Sequence, residues 1–386
     1  MFKRPEILMT PGPTPVPEFV LAAQAAPLVY HRGPGYGALL DEVVEGVQWL
    51  LQTKSDVIVY TSSGTGGMEG AVANVTSPGD KVLVVSVGYF GDRFRMMLER
   101  FGCEVTFLDY QWGKTAKAAD VIAELDKNPE ISMVFCQHSE TSTGVVNDVE
   151  PIARAVSERG KLFILDAISS IGAVDINMDE WGIDVCIGGS QKALGATPGI
   201  AFVAVSQKAW EAHAVSKAPR FYFDWTAYKE AMERPNSESP WTPAISVLAG
   251  MAAALRVAKE EGREAIMERH VLLAKAVKAG ALALGLPLMG EDPERAVAVT
   301  AVQNPPGLTD TQIVGGLRKD YGIVVAPGQG PMKGKVFRIG HLGWFMPVDV
   351  LQFFGALELV LDKLGYEFQK GASVAAAEAV FREAGL

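Results

Sequence analysis

The chain has few cysteines, no excess of basic side chains and no long apolar run, and each of these absences argues against a class of protein. Only three of its 386 residues are cysteine (Cys103, Cys136 and Cys186), without the paired spacing of a disulfide framework or a zinc site. Each lies in or beside an apolar segment, which is typical of buried thiols. The net charge of −10 and the lack of a basic stripe argue against a nucleic-acid-binding protein.

Membrane, secretory and metal-binding signals are also missing. The N-terminal segment MFKRPEILMTPGPTPVP has no apolar signal-peptide core, and the most apolar helical run, residues 244–258, is too short to span a bilayer. The five histidines show neither an HExxH motif nor a clustered metal spacing. We therefore expect a cytoplasmic protein without a metal site.

Apolar residues make up 48% of the chain, which is enough for two cores. Short apolar runs alternate with helical patterns between residues 57 and 188, and several runs are apolar throughout, as in parallel strands covered on both faces. This alternation predicts an α/β fold with a mostly parallel, doubly wound sheet. The predicted strands are Val57–Tyr60, Lys81–Val87, Glu104–Leu108, Ser132–Cys136, Leu162–Asp166 and Val185–Gly188.

The rest of the chain predicts a smaller α+β domain after two long helices. Four prolines between positions 11 and 17 predict an extended N-terminal arm. We divide the chain into an arm (residues 1–17), a large domain (18–260) and a small C-terminal domain (261–386).

Lys192 is the first candidate for chemistry. It follows a predicted strand in the glycine-rich segment GGSQKALGATPG, which is an unusual place for a lysine. Such surroundings disfavour the charged form, so the pKa of Lys192 should fall, which is the condition for Schiff-base formation. An ordinary solvated lysine is the alternative.

Asp166 ends a predicted strand 26 positions before Lys192. Ligands of parallel sheets bind at the carboxyl ends of strands, so this carboxylate is placed for function. Pyridoxal phosphate needs such a partner beside its ring nitrogen. The alternative role is that of a cap for the following turn.

The segment TSSGTGGMEGAV (residues 61–72) joins a predicted strand to a helix. A helix N-terminus with bare N–H groups and small hydroxyl side chains can hold a phosphate. The spacing is not that of a Walker A loop, which needs a lysine after the last glycine. It is not that of GxGxxG either, because Glu69 stands at the last glycine position.

Together these features resemble the class V aminotransferases of the fold-type I pyridoxal-phosphate enzymes, most nearly the alanine/serine–glyoxylate branch. The resemblance covers nearly the whole chain. It is carried, in order, by TPGPTPVP, SSGTGGME, GYFGDR, ETSTGV, DAISSIG, GGSQKAL and FRIGHLG.

The resemblance implies a role for each of several residues. Lys192 would carry the cofactor as a Schiff base, and Asp166 would pair with the ring nitrogen. Arg338 would bind the substrate carboxylate with its guanidinium fork, with a structural ion pair as the alternative. The cofactor would further contact Ser63, Gly64, Thr65 and Gln191 (phosphate), Phe90 and Ile168 (ring faces) and Thr141 (3′-oxygen).

The resemblance also implies a homodimer with shared active sites. Thr242 matches a threonine that reaches the partner subunit's phosphate, and the tyrosine usually three residues before it is Ser239 here. The segment VYHRGPGY matches an element near the partner's pocket. Its glycines at positions 33, 35 and 37 predict a looser loop than in relatives.

The implied reaction is ping-pong transamination, with Lys192 as general base. We expect serine or alanine as amino donor and glyoxylate or pyruvate as acceptor. Aspartate as donor is the alternative. A non-catalytic subunit with the same fold is another alternative, although the three cysteines cannot form a cluster site. A cysteine desulfurase is disfavoured, since Cys186 lies in a predicted strand.

Overall fold

The computed structural model describes residues 5–386, so the first four residues of the predicted arm lie outside it. The larger part of the chain is built on a central sheet flanked by helices. In chain order, the strands up to residue 205 are β1 (Ile7–Leu8), β2 (Asp56–Thr61), β3 (Lys81–Ser86), β4 (Glu104–Asp109), β5 (Met133–Gln137), β6 (Ser139–Glu140), β7 (Val145–Val146), β8 (Leu162–Asp166), β9 (Val185–Gly189) and β10 (Ile200–Val205).

Ten helices belong to the same part of the chain. They are α1 (Glu18–Gln24), α2 (Pro34–Leu51), α3 (Gly64–Val75), α4 (Tyr89–Arg100), α5 (Ala118–Lys127), α6 (Val149–Glu158), α7 (Met178–Trp181), α8 (Gln207–Val215), α9 (Trp225–Met232) and α10 (Ile245–Glu261).

The central sheet has seven strands in the order β2-β10-β9-β8-β5-β3-β4. Strands β9, β8, β5, β3 and β4 pair in parallel, while β10 is antiparallel to both of its neighbours. Alternate residues of β3 enter hydrophobic clusters on opposite sides of the sheet, which explains why this strand is apolar throughout. The predicted α/β class with a mostly parallel sheet is confirmed.

Strand β10 is the element of this sheet that our sequence prediction lacks. Its run IAFVAV follows Pro198 and Gly199 and is buried along its whole length. It returns antiparallel after the turn that carries Lys192, and its first residue pairs with Thr61. The strand therefore brings the end of β2 next to the lysine turn.

The C-terminal part contains a three-stranded antiparallel sheet of order β11-β14-β13. Its strands are β11 (Val299–Gln303), β13 (Ala326–Pro327) and β14 (Val336–Gly340), and the separate short strand β12 (Ile323–Val324) precedes β13. Its helices are α11 (Arg263–Ala283), α12 (Asp310–Gly316, continued by a π-turn over Leu317–Tyr321), α13 (Pro347–Lys363) and α14 (Ala372–Glu383). The side chains of α11 that face this sheet share a hydrophobic cluster with α13 and α14. The domain limits at residues 17 and 260 stay a prediction.

The N-terminal segment runs from the small sheet to the lysine turn. Strand β1 pairs in parallel with β12, and the amide of Thr14 donates to the carbonyl of Gln191 at 3.2 Å. The hydroxyl of Thr14 donates to the carbonyl of Lys192 at 3.0 Å. The segment thus covers the turn that follows β9.

Candidate active site

A cavity of about 300 Å³ lies at the carboxyl ends of the parallel strands, where the ligands of such sheets bind. Eight of the eleven site residues predicted from the sequence line it: Ser63, Gly64, Thr65, Phe90, Asp166, Ile168, Gln191 and Lys192. The remaining three, Thr141, Thr242 and Arg338, are not among its lining residues. The cavity is completed by Gly12, Pro13, Arg93, Ser139, Ser169 and Pro198, which we did not predict.

Lys192 stands in the turn between β9 and β10, beneath the N-terminal segment. Its Nζ donates a hydrogen bond to the carbonyl of Pro11. Burial lowers the pKa of Lys192 to about 8, against a smaller opposing effect of Asp166. The pKa thus changes in the direction expected from the sequence, and a substantial fraction of this amine is neutral near pH 8.

Asp166 is the last residue of β8 and is buried. Burial raises the pKa of its carboxyl to about 6, while the amide of Ile168 opposes this by donating to Oδ1 at 3.0 Å. Glu140 raises the same pKa further, and Lys192 and Arg93 lower it. Asp166 therefore does cap the following turn, which was the alternative role considered for it. This hydrogen bond uses only Oδ1 of the carboxylate.

The first turn of α3 forms one end of the cavity. Ser63 caps this helix with extended backbone, so the first N–H groups of α3 have no partner within the helix. The side chain of Ile168 packs closely against the backbone of residue 64. This position requires glycine, because a Cβ there would lie 2.6 Å from Cδ1 of Ile168. Oε1 of Gln191 is buried without a hydrogen-bond partner in the described structure. These features leave polar groups at this end that need a ligand.

Phe90 lies in the first turn of α4, and its amide donates to Oε2 of Glu140 at 2.9 Å. The guanidinium carbon of Arg93 lies 4.5 Å from the centre of the Phe90 ring. Nη1 of Arg93 also donates to Oγ1 of Thr65 at 2.8 Å. Arg93 was within the GYFGDR motif, but the sequence alone assigned it no role.

Glu140 is a second residue that the sequence analysis missed. It is fully buried, and burial raises the pKa of its carboxyl. Its Oε1 accepts from the amide of Ser142 at 3.0 Å and from its hydroxyl at 2.7 Å. Because it also accepts from the amide of Phe90, Glu140 fixes the start of α4, and with it Phe90. The signal for this role in the sequence was an acid between the apolar run SMVFC and the glycine of ETSTG.

Arg338 projects from β14 toward the junction of the two sheets. Nε and Nη2 donate to the carbonyl of Pro327 at 3.1 and 2.9 Å, and Nη1 donates to the carbonyl of Thr141 at 2.9 Å. Burial lowers its pKa to about 10. Within residues 5–386 no carboxylate lies within ion-pair distance of this guanidinium, so the structural ion pair that we considered is not formed.

Thr242 is exposed on the surface of this chain, whereas Ser239 is buried. The hydroxyls of Ser239 and Tyr36 form a hydrogen bond within the same chain. Ser239 therefore differs from a tyrosine that would reach a partner subunit, because its hydroxyl is engaged internally.

The glycine-rich segment is not the loose loop that we expected. Helix α2 begins at Pro34, inside this segment, because proline suits the first helical position. A Cβ at Gly37 would overlap the carbonyl group of Asn236, so this glycine permits a close backbone approach.

His138 does not line the cavity with Lys192. Its amide donates to the carbonyl of Asp166 at 2.8 Å, and its side chain lines a different cavity together with Trp181 and Arg295. Burial lowers the pKa of its imidazole to about 4.

Within the described residues, no helix has the length and apolar character needed to cross a membrane.

Comparison with known proteins identifies related sequences along nearly the whole chain. The family model described as aminotransferase class-V matches residues 17–333. A Synechococcus protein named as the small subunit of a soluble hydrogenase is 41% identical over 98% of this chain and 99% of its own length. The L-aspartate–glyoxylate aminotransferase of Paracoccus denitrificans is 37% identical over 97% of this chain and 96% of its own.

Two further comparisons concern glyoxylate enzymes. The serine–glyoxylate aminotransferase of Arabidopsis thaliana is 35% identical over 96% of this chain and 94% of its own. The crystal structure of the ureidoglycine–glyoxylate aminotransferase of Bacillus subtilis matches with a TM-score of 0.95 and 31% identity, covering 99% of both chains.

Proposed function

Since this chain belongs to the class V aminotransferase family and is an enzyme of that family, we propose that it transfers the amino group of serine or alanine to glyoxylate or pyruvate. The observation that carries the proposal is the shared cavity of Lys192 and Asp166 at the strand ends. It joins a lysine with a pKa near 8 to a buried carboxylate and a helix N-terminus. These are the groups that amino transfer requires.

The cofactor in this proposal is pyridoxal 5′-phosphate. Its fit is supported by the glycine at position 64, which leaves no Cβ at this end of the cavity, and by the open end of α3 beside it. Asp166 would accept a hydrogen bond from the ring nitrogen. The other proposed contacts are those of Ser63, Gly64, Thr65 and Gln191 (phosphate), Phe90 and Ile168 (ring faces), Thr141 (3′-oxygen) and Thr242 of the second subunit (phosphate).

When bound, the cofactor supplies the electron sink that lets the substrate's α-proton be removed. Lys192 acts as general base at the α-carbon, because burial leaves a large fraction of its amine neutral near pH 8. The carboxylate of Asp166 holds the ring-nitrogen proton in place. Two backbone carbonyls orient Arg338, and its remaining N–H groups would bind the α-carboxylate of the substrate.

A homodimer with shared sites is part of the proposal. Large apolar side chains are exposed near the segments that the resemblance assigns to the interface: Leu28 and Tyr30 before α2, and Phe221 and Tyr222 before α9. A second subunit would cover them. The three thiols are buried and unpaired, which is compatible with the proposed cytoplasmic location.

Aspartate is the second candidate donor, and a specific observation favours it. The relative from Paracoccus denitrificans, named as using aspartate, is slightly more similar to this chain than the serine enzyme from Arabidopsis thaliana. A dicarboxylic donor needs a cationic partner for its second carboxylate, besides the one that binds the α-carboxylate. The absorption spectra recorded with each amino acid separately distinguish the two donors.

The test is the visible absorption spectrum of the purified protein with pyridoxal phosphate, recorded before and after serine, alanine or aspartate is added separately. The proposed donor converts the bound cofactor to its amino form, and glyoxylate restores the original spectrum. Lys192→Ala should show neither change. A protein that retains no cofactor absorbance once free pyridoxal phosphate has been removed contradicts the proposal and favours the non-catalytic alternative.

A further inference from the structure

Arg93 is a cation in the cavity that lacks an anionic partner. Nη1 donates to Oγ1 of Thr65 at 2.8 Å, and the guanidinium lies over the ring of Phe90. In the part of the chain that the structure describes, no carboxylate lies within 4 Å of its nitrogens. Arginine carries five N–H donors in a rigid fork, and only this one side-chain hydrogen bond engages them here.

The position of Arg93 identifies the part of the cavity that it serves. Thr65 lies in the first turn of α3, whose free N–H groups already favour an anion. Because Oγ1 of Thr65 accepts from Arg93, its hydroxyl proton remains available for an anion in the same place. Arg338, by contrast, projects from β14 and is tied to Pro327 and Thr141. The two arginines therefore serve different anionic groups.

The contact between Tyr36 and Ser239 supports the same assignment. Ser239 is buried and its hydroxyl is engaged within its own chain, so it is not available to an anion bound in a second subunit. Thr242 remains as an exposed hydroxyl that could serve there. Neither residue is cationic. A phosphate that carries up to two negative charges would then find its positive partner in the same chain as the helix end.

We propose that Arg93 is the cationic ligand of the cofactor's phosphate and sets the preference of this site for the phosphorylated form. The proposal rests on the proposed function, since it assumes that pyridoxal phosphate occupies this cavity. It assigns to Arg93 a direct, charge-assisted contact through the N–H groups that Thr65 leaves free. The stack over Phe90 holds the planar guanidinium at this end of the cavity.

The experiment compares cofactors with and without the phosphate. The cofactor-free full-length protein is titrated with pyridoxal phosphate and with pyridoxal, and dissociation constants are read from absorbance or tryptophan fluorescence. The variants are Arg93→Met, Arg93→Lys and the control Arg100→Met, which removes an exposed charge from the same helix. Melting temperatures establish that each variant is folded.

Arg93→Met should weaken the binding of pyridoxal phosphate by about tenfold to a hundredfold and leave the binding of pyridoxal within about twofold. Arg93→Lys should keep part of the preference, because it keeps the charge without the fork. Arg100→Met should bind both compounds like the wild type.

Three results would overturn the proposal, and they are distinguishable from one another. Equal weakening of both compounds by Arg93→Met would assign Arg93 to the support of Phe90, and no weakening of either would leave Arg93 without a role in cofactor binding. Failure of the wild-type protein to bind pyridoxal phosphate at all would overturn the proposed function together with this inference.

Discussion

Nζ of Lys192 donates a hydrogen bond to the carbonyl oxygen of Pro11 at 2.5 Å. The N-terminal segment therefore contacts the amine of Lys192 itself, and the bonds of Thr14 to the backbone of residues 191 and 192 fix the segment there. This contact orders the lysine while its amine is free. In the proposed reaction it would be released when the amine bonds to the cofactor.

Gly12 is the position at which this contact can be altered. A Cβ there would lie 2.7 Å from Nζ of Lys192, in a backbone conformation with φ of +137°. We predict that Gly12→Ala slows covalent capture of pyridoxal phosphate by about tenfold, because crowding of this size costs roughly 1–3 kcal/mol. Stopped-flow absorbance measures the rate.

The control is Gly79→Ala. Gly79 also has a positive φ, of +89°, but no atom lies within 4 Å of a Cβ built there. The Gly79→Ala variant should have a similar backbone strain and a lower melting temperature, but its capture rate should be unchanged. Equal slowing in both variants would attribute the effect to general destabilisation.

The pH dependence of cofactor capture follows from the pKa of Lys192. Only the neutral amine is a nucleophile, and burial lowers this pKa to about 8. The capture rate of the wild-type protein should rise about tenfold per pH unit below pH 8 and level off above it. A rate that keeps rising to pH 10 would indicate a lysine with an ordinary pKa.

Asp166→Asn should separate activity from stability. The electrostatic contact to the ring nitrogen is lost, so kcat should fall by about a hundredfold to a thousandfold. Burial raises the pKa of Asp166 to about 6, so the ionised carboxylate destabilises the cofactor-free fold above that pH. The melting temperature of the cofactor-free variant at pH 8 should therefore equal or exceed that of the wild type.

Calorimetry of the cofactor-free protein at pH 5 and pH 8 checks the sign. The stability difference between variant and wild type should be larger at pH 8, because protonation below pH 6 removes the cost of the buried charge. If the Asp166→Asn substitution instead lowers the stability more at pH 8 than at pH 5, the fold stabilises Asp166 as an ion.

The hydrogen bond between Tyr36 and Ser239 predicts a coupling between these residues. Tyr36→Phe and Ser239→Ala each leave one buried hydroxyl without its partner, which should cost about 1–2 kcal/mol of unfolding free energy. The double variant should cost less than the sum of the two. Denaturant unfolding measures the cycle, and additive effects would mean that the two hydroxyls are not bonded in solution.

Much of the fold was predictable because local patterns and global packing agree. Strands such as β5 and β8 are apolar throughout, and their ends place Gln137 and Asp166 side by side in the sheet. Lys192 and Asp166 were found because a lysine among glycines and an acid at a strand end are each locally unusual.

The remaining features depend on contacts between distant segments. Arg93 and Glu140 acquire their roles only through Thr65 and Phe90, which lie 28 and 50 positions away from them. The glycines at positions 33, 35 and 37 suggested a loose loop, whereas α2 begins at Pro34. The approach of Asn236 to Gly37, which requires the smallest residue, cannot be read from the local pattern.

The most direct test of the central claim follows the nitrogen atom itself. The protein with pyridoxal phosphate is incubated with glyoxylate and with serine, alanine or aspartate that carries ¹⁵N in the amino group, and the products are analysed by mass spectrometry. We predict ¹⁵N-glycine together with hydroxypyruvate from serine or pyruvate from alanine, and none of these from Lys192→Ala. If only aspartate gives labelled glycine, aspartate replaces serine and alanine as the donor. If none of the three donors gives labelled glycine, transfer to glyoxylate is contradicted.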